Sequence, residues 1–469
     1  MAWAAPLELL GEELRQRVDE GCAIPRELRE RIAALDPEAD AWNLERIDPL
    51  YDELMALAED EALAAREPNE LAAIRALRPH GPRSLGWSPS ESEAVDRFHG
   101  AWTGRAVGCA LGKPVEGMGM SWQGGQFVGR SEIKRYLLAR GDWPLADYFS
   151  GRDAGDGKKL WCPASQRERI AFMEPDDDIH YTLVGLGVLE RYGPGFRWHD
   201  VADFWLDHLP INAICTAEAQ AIENFQRRSH RRYGEKLAAT PAFTRRHRNP
   251  YREWIGAQIR ADGWAYVCAG EPELAAEFAY RDACWTHERN GIYGEMLFAA
   301  IEAAAFVESD PARLVEIGLA EIPADCRLAR LVRSCLSWVS QYSEFETCVT
   351  RVEEECGAMS PVHTLNNALI CVLSLFYGQM DATQAPAVAV MCGHDTDCNG
   401  ATVGSIVGAR LGRSAFDDKL AARLNDTVRP AMVGFERVTM SELARRTHEQ
   451  WQRVIAYQKA RRLDQGSYL

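Results

Sequence analysis

Several features are missing from this chain, and each absence removes a class of protein. No stretch of its 469 residues approaches the roughly 18 consecutive apolar residues that a membrane-spanning helix requires. The opening "MAWAAPLELLGEELRQRVDEG" has neither the basic start nor the apolar core of a secretory leader, which favours a cytoplasmic location. Thirteen cysteines are present but no CxxC pair, so they read as reduced thiols, mostly small core hydrophobes, rather than a disulfide framework. Positive charge is in deficit. The formal net charge of −16 argues against nucleic acid or an anionic membrane as partner, while leaving room for a local basic site. Alternating strands, a βαβ rhythm and short-period repeats are also missing.

What remains is an α-rich chain. With 46% hydrophobic residues, it has material for a substantial core. Residues 1 to about 80 carry apolar residues at helical spacing, as in "PRELRERIAAL" and "DPLYDELMALAEDEALAAR". The Pro/Gly/Ser-rich stretch 78–94 marks a boundary, giving a helical extension over 1–90 and a main domain over 91–469. In the main domain Gly100, Gly104, Gly108 and Gly112 recur every fourth residue, and so do Gly400, Gly404 and Gly408. On a helix this spacing makes a ridge bare of side chains that another backbone can approach. Glycine inside a helix costs about 0.5–1 kcal/mol per residue, so the repetition points to a geometric need, such as a crowded site at the helix ends.

Acidic residues cluster twice. Asp176, Asp177 and Asp178 open an apolar helix that stops at Gly193 and Pro194, and Asp395 and Asp397 lie in "GHDTDCNG" between apolar stretches. One aspartate suffices to cap a helix. Like charges this close repel unless something positive compensates, and neither motif contains a lysine or arginine. A hard divalent cation is an economical partner for buried carboxylates. On the residues alone, capping and metal binding are both open readings. Glu116, in "GCALGKPVEGM", taken by itself reads as a surface glutamate.

Together these segments resemble the ADP-ribosylglycohydrolase family. The family's early "GxxxGDALGxPxE" appears here as "GRAVGCALGKPVE" (104–116), its "TDDT" as "DDDI" (176–179), and its late "GGDTDTNAA" as "GHDTDCNGA" (393–401). "DACWTH" (282–287) is similar to its central "A..TH" stretch, and the resemblance spans about residues 94–435. It implies an all-α, compact orthogonal helical bundle with a central metal cleft, here with an N-terminal helical extension. It implies two Mg²⁺ ions, with Mn²⁺ as the substitute. By resemblance the metal ligands are Asp176, Asp177, Asp178, Asp395, Asp397 and Cys398, and the catalytic residues are Glu116 and Asp178. Gly117, His180, His287 and Asn399 are the expected substrate-binding residues. Two ligand positions depart from the pattern: Asp176 and Cys398 stand where the family has threonines. A sulfur at 398 is a poor partner for Mg²⁺, which bears on metal preference and on the number of ions. Ile179 and Cys109 replace a threonine and an aspartate, marking a divergent branch.

The implied reaction is hydrolysis at the anomeric carbon of a ribose in an ADP-ribosylated small molecule or protein, through an oxocarbenium-like transition state. Two other readings stand beside it: a ribohydrolase of a nucleoside-like or ribosylated metabolite, and a catalytically silent binding or structural member. The oligomeric state is open. The basic segment 227–252 reads either as a solvated surface or as a seat for a diphosphate. The short Gly-rich stretches "EGMGM" (116–120) and "GQFVG" (125–129) are weaker phosphate cradles. His363, like His287, reads more readily as a hydrogen-bonded structural histidine than as a ligand. Trp122, Trp264 and Trp285 are candidates for base stacking, although aromatic side chains more often fill a core.

Overall fold

The computed structural model describes residues 4–229, 239–416 and 419–466. Among these the architecture is all-α. The strands are two short antiparallel ribbons, Trp122–Gln123 with Gln126–Phe127 and Thr427–Val428 with Val438–Thr439. No described helix is long and apolar enough to cross a membrane.

The two glycine series meet each other, and they organise the main domain. Helix Glu91–Gly112 starts at Ser90, whose hydroxyl accepts from the Glu93 N–H, and runs antiparallel to helix Thr396–Leu411. Their contact is the most extensive between any two helices among the described residues. A methyl group placed on Gly104 would lie 1.9 Å from the Gly404 carbonyl oxygen, and one on Gly108 would lie 1.9 Å from that of Gly400. Gly100 faces Gly408 and Gly412, and Gly112 faces the Thr396 carbonyl. The backbones therefore touch along the whole seam, at a distance no other residue permits. Helix Asn290–Ala305, buried on every side, packs against Thr396–Leu411.

The extension forms five helices, Pro6–Asp19, Arg26–Ala33, Leu44–Met55, Glu61–Arg66 and Leu71–Leu77. The first three share a small core of their own, with Leu10, Ile47 and Leu54 at its centre. That core closes on Ala217 and Tyr251 of the main domain. Around it runs a buried ionic seam. Arg252 pairs with Glu13 and Glu20 at 2.7 Å each, Arg327 with Glu67 at 2.8 Å, and Arg246 and Arg289 both with Glu59.

This seam changes the reading of the basic segment. Arg227 is exposed and pairs with Glu223 on its own helix, but the described arginines from 245 onward are neither a solvated face nor an open anion seat. Arg245, Arg246, Arg248 and Arg252 take carboxylates from the extension and from Glu288. Residues 230–238 lie outside the described residues. Such pairs contribute little net stability, but stripping one partner leaves an uncompensated buried charge at a cost of about 3–5 kcal/mol. The 78–94 stretch is anchored too. Arg78 and Arg83 pair with Glu321 at 2.6 and 2.7 Å, and Trp87 packs among Phe98, Phe306 and Trp451.

Candidate metal centre

The glycine seam ends where the carboxylates gather. At its last rung the Thr396 hydroxyl donates to the Gly112 carbonyl at 2.9 Å. The chain then turns through Lys113–Val115 into the short helix Glu116–Gly119. His394, at φ 63°, donates its N–H to the Gly119 carbonyl at 2.9 Å. Glu116 is thus stitched on both sides to the loop that carries Asp395 and Asp397, although some 280 residues separate them in sequence.

The aspartates divide by role. Asp176 is a helix cap: its Oδ1 accepts from the Asp178 N–H at 3.0 Å, and Lys113 Nζ lies 2.8 Å from its Oδ2. Asp395 also precedes a helix but makes no side-chain cap bond, and its buried Oδ1 has no hydrogen-bond partner. Asp178 gives one oxygen to the buried Arg105 at 2.7 Å, and Arg105 pairs in turn with Asp262 at 2.9 Å. The other Asp178 oxygen is buried and unpartnered. Buried carboxylate oxygens without partners are costly unless a proton or a cation is bound.

Three groups of ligand atoms fit an ion, each with its members within 4.8 Å of one another: Glu116, Asp395 and Asp397; Asp178, Asp397 and Cys398; and Cys109, Asp176 and Asp178. Asp397 belongs to two of them. Carboxylate oxygens suit Mg²⁺ or Mn²⁺, while the sulfurs of Cys398 and Cys109 favour softer ions. The donor set therefore fits a divalent cation.

Crowding is visible in the acidities. Asp397 and burial push the Glu116 carboxyl well above the usual carboxylate range. Burial and Asp397 do the same to Asp395. Burial, then Asp176 and Asp397, push Asp177 up to about 8, and burial, then Asp176, push Asp397 up to about 6. Asp176 alone in the cluster stays below its ordinary value: burial would raise it, but the charge and hydrogen bond of Lys113, with the Asp178 N–H and His180, together hold it down. Without a cation the cluster holds protons that cation binding would expel.

The other expected residues are spread around this centre. Asn399 donates to Asn367 Oδ1 at 2.7 Å, and the same oxygen accepts from the Asp395 N–H at 3.2 Å, so Asn367 braces the loop. His180 Nε2 accepts from the Ala431 N–H at 3.0 Å, and burial pushes its pKa down to about 4. His287 is fully buried beside Thr286 and Glu218 in the polar cluster around Arg260, and belongs to none of the three groups. His363 caps helix Thr364–Tyr377 through Nδ1. Trp264 and Trp285 are core residues, whereas Trp122 is half-exposed on its ribbon. Gly117 lies under the indole of Trp161, and a methyl there would sit 3.0 Å from Trp161 Cζ2.

Lys113, Arg105, Asn367 and Trp161 escaped the sequence reading. Lys113 sits three residues before Glu116 in the quoted motif, so its position there was the one available signal.

A family model described as ADP-ribosylglycohydrolase matches residues 90–456. A solved structure titled "ADP-ribosylglycohydrolase-related protein complex" is 18% identical, covers 77% of this chain and 99% of its own, and aligns with a TM-score of 0.48. No curated protein matches the sequence.

Proposed function

This chain belongs to the ADP-ribosylglycohydrolase family, and on that premise we propose that it is a divalent-metal-dependent hydrolase of the glycosidic bond at a ribose anomeric carbon. Its substrate in this reading is an ADP-ribosylated compound. The observation that carries the proposal is the junction of Glu116, Asp395 and Asp397 with Asp178 and Cys398, where two buried carboxylate oxygens have no partner.

We assign Asp395, Asp397, Asp178 and Cys398 to holding the cation, Mg²⁺ or Mn²⁺, with Asp177 beside them. When bound, the cation supplies Lewis acidity that orients ribose hydroxyls and lowers the pKa of water. Asp176 holds the first turn of its helix in place and keeps Lys113 at the rim. Glu116 moves the proton. It is the one motif carboxylate that stands apart from the two aspartate clusters, on its own short helix, and it is only half-buried, which suits delivery of a proton to the departing atom. It then takes a proton from the incoming water. Arg105 fixes Asp178 from behind and Asn367 fixes Asp395, so both carboxylates are oriented before substrate arrives.

The test is calorimetric titration with Mn²⁺ and Mg²⁺, followed by hydrolysis assays on ADP-ribosyl-arginine, ADP-ribosyl-serine and simple nucleosides. The expected result is Mn²⁺ binding with turnover of at least one ADP-ribosyl compound. Glu116→Gln should cut turnover by about 10²–10⁴-fold. Turnover of nucleosides alone would move the substrate to a ribosyl metabolite. Failure to bind either ion would leave a silent binding protein.

A further inference from the structure

Trp161 exposes 61% of its surface, although it stands against Gly117, the residue next to Glu116. The backbone that carries it is fixed. The Gln166 amide donates to the Trp161 carbonyl at 3.0 Å and to that of Leu160 at 3.4 Å. A few residues on, the Ser165 hydroxyl donates to Glu174 at 2.5 Å, just before the Asp176 turn, and Lys113 bonds the Pro175 carbonyl. The indole therefore lies against the segment bearing Glu116, while the backbone that carries it is bonded to Gln166, one residue beyond the Ser165 that reaches Glu174. Gly117 matters because any side chain there would press on the indole, at 3.0–3.2 Å or less. One face of a large π-system is thus presented to solvent at the edge of a strongly acidic cluster.

We propose that Trp161 is a specificity-determining residue that stacks a flat, positively charged leaving group attached to the ribose. This rests on the glycohydrolase reading above. The ring neighbours the proton-moving Glu116, so what it touches is the group that departs, rather than a distant adenine. Flat cations gain doubly there, from the indole face and from the surrounding carboxylates. A tetrahedral leaving group such as a serine hydroxyl gains neither. Two sources share the required chemistry, an N-linked heteroaromatic ring and a guanidinium.

Calorimetry on the Mn²⁺-loaded full chain separates them. The probes are NAD⁺ (a cationic heterocycle on the anomeric carbon), ADP-ribosyl-arginine (a guanidinium) and ADP-ribose (a hydroxyl at the same carbon). Trp161→Ala is expected to weaken at least one of the first two about tenfold, by analogy with base–aromatic stacking. ADP-ribose should stay within about twofold, and Trp161→Phe should retain the preference. Trp42→Ala, which removes a tryptophan that is 69% exposed on the extension, should change nothing. The proposal is overturned if Trp161→Ala weakens none of the probes, if it weakens ADP-ribose as much as the others, or if the wild type binds ADP-ribose but neither flat-group probe. Loss of ADP-ribose binding by the wild type itself would bring down the glycohydrolase reading, and this inference with it.

Discussion

Placing a methyl group on the glycine seam should damage the metal centre from a distance, and by an amount that depends on the rung. In Gly108→Ala the new carbon would sit 1.9 Å from the Gly400 carbonyl oxygen, against about 3.4 Å for ordinary contact. The helices must part there by roughly 1.5 Å, the difference of those distances. Two effects oppose. Alanine improves helix propensity by about 1 kcal/mol over glycine, while forcing a packed interface apart costs about 1–3 kcal/mol or more. With backbone on both sides and no flexible side chain to yield, the clash wins, and urea unfolding should show a net loss. The same displacement reaches the last rung, where Gly112 meets Thr396, and shifts Glu116 against Asp397. Metal sites tolerate errors of about 0.2 Å in ligand distance, so Mn²⁺ affinity should fall more than tenfold. Gly100→Ala is the comparison. It meets the Gly412 and Gly408 backbones at 2.4–2.5 Å, but lies 12 residues, about 18 Å along the helix, from Gly112. It should cost similar stability and leave Mn²⁺ affinity within about threefold. Equal Mn²⁺ binding by Gly108→Ala and the wild type would refute the idea that the seam positions the site. A gain in stability would refute the tight seam itself.

Other expectations follow from the same contacts. Cys398→Thr puts a hard oxygen beside Asp178 and Asp397, so calorimetry should show Mg²⁺ binding tighten relative to Cd²⁺; an unchanged ratio would mean that the sulfur touches no ion. Arg252→Met leaves Glu13 buried without its cation and takes one of several arginines from Glu20, and unfolding should report a loss of about 3–5 kcal/mol. Glu20 adds a pH signature. Burial alone would raise its pKa, but Arg252, Arg246 and Arg17 hold it down at about 2. A depressed acid stabilises the fold above its unfolded pKa of about 4.3 and loses that contribution as pH falls towards 2. The stability gap between wild type and Glu20→Gln should therefore be full at pH 6, roughly 3 kcal/mol, and shrink between pH 4 and pH 2. A gap that does not change with pH would remove Glu20 from the ionic seam.

The glycine period announced its own purpose, since only backbone contact justifies so many weak helix residues in a row. What one strand of sequence could not announce was the partner of each series or its direction. Clustered aspartates were legible as a problem in electrostatics, but their compensation was sought locally. Arg105 reaches Asp178 across 73 residues and Lys113 reaches Asp176 across 63, and no motif-length window contains such pairs. The basic segment misled for the same reason. Arg245, Arg246, Arg248 and Arg252 look unpaired until the extension, about two hundred residues earlier, folds back over them. Trp161 carried no local pattern at all, because its place over Gly117 depends on a loop with no periodicity.

The seam also sets a timetable. Its first helix is complete at Gly112, and its counterpart begins at Thr396, so the ribosome must add about 280 residues between them. At roughly 5–20 residues per second this takes some 15–60 s. Throughout that interval the bare glycine groove has no mate, Glu116 has no Asp397, and the nascent chain carries an unfinished interior. The candidate metal pocket therefore cannot exist until the second helix of the seam has been made.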